Sequence, residues 1–81
     1  MNKPYIEFHL REAQEALNNI LESLRGDPDY DYGPYWVDMQ HLYRHINTAW
    51  NARDAADEQA ATLSQEDFDR WGQYPADLDI L

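Results

Sequence analysis

Residues 4–25 read PYIEFHLREAQEALNNILESLR, and this stretch decides the fold. Its apolar positions alternate in steps of four and three, which places them in one stripe along a helix. These positions are Ile6, Leu10, Ala13, Leu17, Ile20 and Leu24. Pro4 suits a first helical turn, and Arg25 is followed by Gly26, which can take the left-handed cap conformation. The sequence therefore predicts a first helix over about residues 4–25.

A turn-forming segment follows this helix. Residues 26–33 read GDPDYDYG, and so many turn formers prevent regular structure from continuing through them. Pro34 has the φ angle suited to the start of a new helix. An apolar face then recurs at Trp36, Met39, Tyr43, Ile46 and Trp50. We predict a second helix over about residues 34–61, continuing through the alanine-rich stretch.

The C-terminal part predicts one more short helix and a tail. Ser64 can cap a helix over about residues 65–71, and Gly72 and Pro75 end it. In the tail, residues 72–81, Leu78, Ile80 and Leu81 alternate with acidic residues. Such a tail either docks on the helices or stays free as a linear motif for a partner, and the sequence favours neither.

The predicted fold is therefore all-α, with one domain built on an antiparallel helical hairpin. The expected register sets Leu24 near Trp36, Leu17 near Tyr43 and Leu10 near Trp50. A two-helix arrangement of 81 residues leaves apolar surface exposed, so we expect two hairpins to pair as a homodimeric four-helix bundle. The residues expected at an interface are Phe8, Val37, His45, Ala49, Ala52 and Ala56.

The charge limits the partners. Sixteen acidic and six basic side chains give a net charge of -10. This charge repels nucleic-acid phosphates and anionic lipid, so direct binding to nucleic acid or membrane is not expected, whereas a basic partner protein would be attracted. The chain has no cysteine and no signal-peptide-like N-terminal run, so we expect a cytoplasmic protein.

One candidate metal site lies in the loop. Asp27, Asp29, Asp31 and Asp38 occupy positions one, three, five and twelve of a segment that resembles the calcium-binding loop of EF-hands. The segment departs from that pattern at position six, where Tyr32 replaces glycine, and Pro34 stands at position eight. A turn with solvated aspartates is the simpler interpretation, and calcium binding is the alternative.

A second candidate metal site lies on the second helix. Asp38, His41 and His45 are spaced three and four apart, so they project from one stripe and could bind a transition metal if acids such as Glu12 or Glu15 completed the site. The stripe is expected to lie away from the hairpin core, and His9 is expected to lie far from it. Ordinary surface or interface histidines are the simpler interpretation.

The sequence contains no recognisable catalytic constellation: cysteine is absent, no histidine is expected near a serine, and no glycine-rich phosphate loop is present. We therefore expect a non-enzymatic, acidic interaction or regulatory module without a cofactor. The alternatives are a metal-binding protein and an acidic mimic of nucleic acid that inhibits a DNA-binding protein.

Overall fold

A computed structural model describes residues 1–79. Within them the chain forms four helices: α1 (Lys3–Gly26), α2 (Tyr32–Asn51), α3 (Asp57–Thr62) and α4 (Gln65–Trp71). The two long helices, α1 and α2, pack against each other as a hairpin, and α4 packs against α2. The all-helical prediction is confirmed, since the described part of the chain contains no strand.

The ends of α1 are set by neighbouring polar groups. At the start, the Asn2 side chain accepts a hydrogen bond from the Tyr5 amide over 3.3 Å, which satisfies one of the unpaired amides of the first turn. At the end, the Asp27 amide donates to the Ser23 carbonyl over 3.0 Å. The expectation that Gly26 adopts a left-handed cap was wrong, because no glycine in residues 1–79 has a positive φ.

Helix α2 is shorter than the sequence predicted. We expected it to continue to residue 61, but it ends at Asn51, and the alanine-rich stretch forms the separate helix α3. The reason is a tertiary contact with the N-terminus. The Asn2 amide donates to the Arg53 carbonyl over 2.6 Å, and Asn2 Nδ2 donates to the Ala55 carbonyl over 2.9 Å. These carbonyls are thus paired outside a helix, so the helical hydrogen-bond ladder does not need to continue.

The hairpin core differs from the expected stripe. Its buried residues are Ala13, Ile20 and Leu42, and Ala16 and Met39 pack against them. The leucines at 10, 17 and 24, which we expected to face the second helix, are 49%, 46% and 58% exposed. The expectation that these leucines face the second helix was therefore wrong: Ala13 and Ile20 of α1 pack against Leu42 of α2, and the leucines lie beside that line.

None of the helices in residues 1–79 combines the length and the apolar character needed to cross a lipid bilayer.

Candidate functional site

The loop between α1 and α2 forms a hydrogen-bonded turn. The Asp27 carboxylate accepts a hydrogen bond from the Asp29 amide over 2.9 Å, as in an Asx turn. Asp31 occupies the N-cap position of α2 but makes no side-chain cap bond. These observations fit the interpretation of the loop as a turn made from good turn formers.

Asp38, the expected twelfth-position calcium ligand, has a different partner. The Tyr30 hydroxyl donates to Asp38 Oδ2 over 2.8 Å. Partial burial, together with the bond to this carboxylate, raises the pKa of Tyr30 to about 12. In the described residues, 1–79, no group of three or more histidine, aspartate or glutamate side chains has the arrangement of a metal site. The structure thus does not bring the four loop carboxylates together.

A pair of histidines joins the two long helices. Nδ1 of His9 on α1 lies 3.0 Å from Nδ1 of His45 on α2. The expectation that His9 lies far from the histidines of the second helix was wrong. So was the expectation that His45 points away from the hairpin, since it is half-buried against α1. The spacing in the sequence could have predicted this contact, because His9 is four residues before Ala13 and therefore lies on the same face of α1.

The surroundings of His9 are aromatic and closed. The side chain is 9% exposed, and its ring packs edge-on against Tyr5, with ring centroids 4.7 Å apart, and against Phe8, at 5.1 Å. Its second nitrogen, Nε2, is buried and has no hydrogen-bond partner. Burial lowers the pKa of His9, and the neighbouring His45 lowers it further, whereas Glu12 opposes the shift. The pKa of His45 is also lowered, mainly by burial.

A polar groove is lined by residues of both long helices. It has a volume of about 130 Å³ and is lined by Glu12, Glu15, Ala16, Asn19, Asp38 and His41. The packing therefore brings the helix-1 acids to the same side as Asp38 and His41, as the transition-metal hypothesis required. His41 is exposed, and its ring centroid lies 4.6 Å from that of His45. The groove thus joins three acidic side chains and one imidazole, that of His41, without forming a metal site in the described residues.

Polar residues near the end of α2 hold α4 in place. Asn47 Nδ2 donates to the Gly72 carbonyl over 2.9 Å, and Asn51 Nδ2 donates to the Trp71 carbonyl over the same distance. Thr48 also donates to the Trp71 carbonyl, over 3.4 Å. Trp71 itself is buried, and its ring centroid lies 6.3 Å from that of Tyr5. The polar interruption of the second helix therefore fixes the position of α4.

The expected interface residues do not form one accessible patch. Ala49 and Ala52 are buried within the chain, and His45 contacts His9. Phe8, Val37 and Ala56 are exposed. The strip of small residues therefore serves packing inside the monomer, which leaves no room for the close approach of a further helix at Ala49 and Ala52.

A larger apolar surface lies elsewhere, and all of its members except Leu21 belong to the two stripes that the sequence predicted to face the hairpin core. We call it the apolar side. Its members on α1 are Leu10, Leu17, Leu21 and Leu24, and those on α2 are Trp36, Tyr43, Ile46 and Trp50. Each is at least 36% exposed, and Trp36 is 67% exposed.

The two halves of the apolar side face the same direction. Each residue of a helix turns by about 100°, so the leucines of α1 lie to one side of its buried line at Ala13 and Ile20. The aromatic residues of α2 lie to the same side of Leu42. The polar groove with Glu12, Asp38 and His41 occupies the opposite side. The hairpin therefore has one apolar and one polar broad side.

Comparison with known proteins gives no match: no family model matches the chain, and neither a curated protein nor a solved structure is significantly similar to it.

Proposed function

We propose that this chain is a non-enzymatic protein-interaction module that pairs with a second copy through its apolar side and offers an acidic outer surface to a basic partner protein. The observation that carries the proposal is the exposure of the apolar side in the single chain. Soluble monomers rarely leave a contiguous apolar patch of more than a few hundred Å² open to water.

The size of the chain supports the proposal. A domain of this length buries only about 60 to 65% of the surface of its unfolded chain. Here the buried core between α1 and α2 consists only of Ala13, Ile20 and Leu42, with Ala16 and Met39 packed against it, while the leucines and tryptophans of the apolar side lie outside it. Burying these side chains against another copy would add the hydrophobic stabilisation that the hairpin lacks, at roughly 25 cal/mol per Å² of apolar surface.

The pattern of the apolar side also favours a second copy. On α1 the four leucines of the apolar side share one face of the helix, and Gln14, which is uncharged, lies on that face between Leu10 and Leu17. A flat apolar side on an antiparallel hairpin can pair with itself by a two-fold rotation, and two such hairpins make a four-helix bundle. The net charge of -10 per chain would then be displayed on the outside of the dimer.

The acidic outer surface is the basis for proposing a basic partner. Carboxylates at the surface steer cationic proteins toward it and disfavour nucleic acid and anionic membranes. A protein that binds nucleic acid through a basic surface belongs to the class of partners that fits. Weakening of the complex with rising salt would be the expected signature, because such attraction between exposed charges is screened.

The pairing is tested by the mass of the protein in solution, measured by light scattering or sedimentation over a range of concentrations. We expect the mass of two 9.6 kDa chains for the natural sequence and of one chain for Leu17→Glu or Ile46→Glu. Val37→Glu is the matched control, because Val37 is 56% exposed but lies away from the apolar side. A natural sequence that stays monomeric throughout contradicts the proposal. If Val37→Glu dissociates the dimer and Leu17→Glu does not, the interface lies on the side of Val37 and the proposed use of the apolar side is wrong.

A further inference from the structure

The contact between His9 and His45 restricts how many protons the two rings can hold. The two Nδ1 atoms are 3.0 Å apart, so one of them carries a hydrogen and donates it, and the other accepts with its lone pair. In the neutral pair the acceptor ring carries its hydrogen on Nε2. His9 Nε2 is buried without a partner, so the favourable arrangement has His9 Nδ1–H donating to His45, which leaves only a lone pair on the buried atom.

Any proton added to the pair disturbs this arrangement. After one proton is added, the two rings hold three N–H hydrogens. One lies between the two Nδ1 atoms, and each Nε2 carries one of the other two. The added proton therefore places an N–H on His9 Nε2, which has no acceptor in the closed structure. A fourth proton would set two N–H groups against each other at the Nδ1 contact. An unpaired buried donor and a buried positive charge both disfavour the folded contact.

The charged groups around the pair act in both directions. Glu12 on α1 favours the protonated form of both rings, while His41 and Arg44 on α2 disfavour it at His45. From the remaining packed element, α4, the uncharged Trp71 ring contacts Tyr5, which in turn packs on His9. Burial exceeds the attraction of the single glutamate, since the pKa values of both histidines are lowered.

We propose that the His9–His45 pair makes closure of the hairpin depend on pH, holding α1 and α2 together when both rings are neutral and separating when the pair takes up a proton. The affected half is the open end, where α1 begins, α2 ends and α4 docks. Because Tyr5 links His9 to Trp71, opening of the pair also loosens α4. This inference concerns one chain alone and does not depend on the proposed pairing of two copies.

The direction of the pH effect follows from linkage. Both histidines bind protons less readily in the folded chain than in the unfolded chain. Stability is therefore complete above the unfolded value of about 6.5 and falls as the pH drops below it, until the folded groups also protonate. In that window the unfolding equilibrium constant rises by up to about tenfold per pH unit for each histidine.

Nitrogen-detected NMR of the natural chain tests the pair directly. We expect His9 to carry its hydrogen on Nδ1 at neutral pH, and both His9 and His45 to titrate below the ordinary midpoint of about 6.5. On acidification, hydrogen exchange corrected for intrinsic rates should accelerate in residues 5–13 and 45–51 before it does in residues 16–24. Titration of both rings at or above the ordinary midpoint, or uniform acceleration along α1, overturns the proposal.

Variants separate this pair from histidine titration in general. His45→Gln should make the unfolding constant less dependent on pH in the acidic window by up to about tenfold per pH unit. His41→Gln removes a neighbour of His45 but keeps the His9–His45 contact, so it should change that dependence less than His45→Gln does. An equal effect of the two variants contradicts the proposal. If His45→Gln does not fold, the NMR titration and the hydrogen exchange of the natural chain decide.

Discussion

The indole Nε1–H of Trp50 donates a hydrogen bond to Oδ1 of Asp77 over 2.9 Å. This contact joins the end of α2 to the C-terminal segment, and Arg53 reinforces it by lying over the Trp50 ring, 4.0 Å from its centroid, and by reaching Asp77 Oδ2 at 3.4 Å. Pro75, two residues before Asp77 in the same segment, is buried. The described part of the tail is therefore docked on the helices, while Ile80 and Leu81 of the predicted alternating pattern lie outside the described residues.

We predict that Asp77→Ala releases the tail and leaves the hairpin folded. The Trp50 indole N–H resonance should move toward its solvent-exposed position, and the Leu78 amide, which donates to Pro75, should exchange faster. Asp79→Ala, two residues further on, is the matched control. An indole resonance that does not respond to Asp77→Ala would exclude the contact.

The same contact has a pH dependence of defined sign. The hydrogen bond from Trp50 lowers the pKa of Asp77 from 3.8. A carboxyl with a lowered folded value contributes stability above its unfolded value, and that contribution is lost as the pH falls through the folded value. We therefore expect the Asp77 carboxyl to titrate below 3.8 in an NMR titration of the natural chain, with the Trp50 indole N–H responding over the same range.

The docking of α4 depends on the amides of Asn47 and Asn51. Asn47→Ala leaves the Gly72 carbonyl without its donor, and because this contact is part-buried we expect a loss of about 1–3 kcal/mol in the free energy of unfolding. Asn51→Ala removes donors to both Trp71 and Gln73 and should cost a similar amount. Urea denaturation measures both, with the exposed Asn18→Ala as control. Equal stability of the Asn47 and Asn18 variants would refute this role.

Two glycines should respond differently to alanine. At Gly72 a Cβ would collide with Arg44 Nη1 and lie 2.9 Å from its Cζ, which would displace the guanidinium from its bond to the Phe68 carbonyl. We expect a loss of about 1 kcal/mol, the size of one hydrogen bond. At Gly26 no atom lies within 4 Å of such a Cβ, so alanine should be neutral or stabilise by up to about 1 kcal/mol. Thermal melts compare the two, and a more stable Gly72→Ala would contradict the contact.

The bond between Tyr30 and Asp38 should be visible in the ionisation of the tyrosines. We expect a tyrosine ionisation step at about pH 12, and we expect this step to disappear in Tyr30→Phe. Asp38→Asn removes the negative charge beside the hydroxyl and should bring the step to lower pH, because the tyrosinate is then no longer repelled. Ultraviolet difference absorbance follows the titration. Asp31→Asn, in the same loop, should leave the step in place, and an equal shift in both variants would exclude the contact.

Part of the fold was predictable because it depends on neighbours in sequence. Local groups within a few residues of each other set the start of α1 near Pro4, the turn after Gly26 and the cap of α4. The predicted cap of α4 is confirmed, since the Asp67 amide donates a hydrogen bond to the Ser64 hydroxyl over 3.1 Å. Residues that are distant in sequence set the rest. The early end of α2 depends on Asn2, about fifty positions away, and no local propensity marks it.

The candidate site was predicted only in part for the same reason. Helical spacing correctly placed Asp38, His41 and His45 on one stripe, but the rotation of α2 about its axis was wrong, since this stripe turns toward α1. Periodicity identifies which residues share a face and leaves open which edge of a broad apolar face enters the core. Here the edge with Ala13 and Ile20 entered the core, where it packs against Leu42.

The sequence by itself determined that this chain is acidic and helical, where its first helix and main turn lie, and which residues share each helical face. Those properties depend on composition and on contacts within one or two helical turns. The tertiary structure alone decided that His9 meets His45, that α2 ends at Asn51 and that the leucines and tryptophans of the apolar side stay exposed. Such outcomes depend on how two helices rotate and slide against each other, and close packing selects that arrangement from several with the same local pattern.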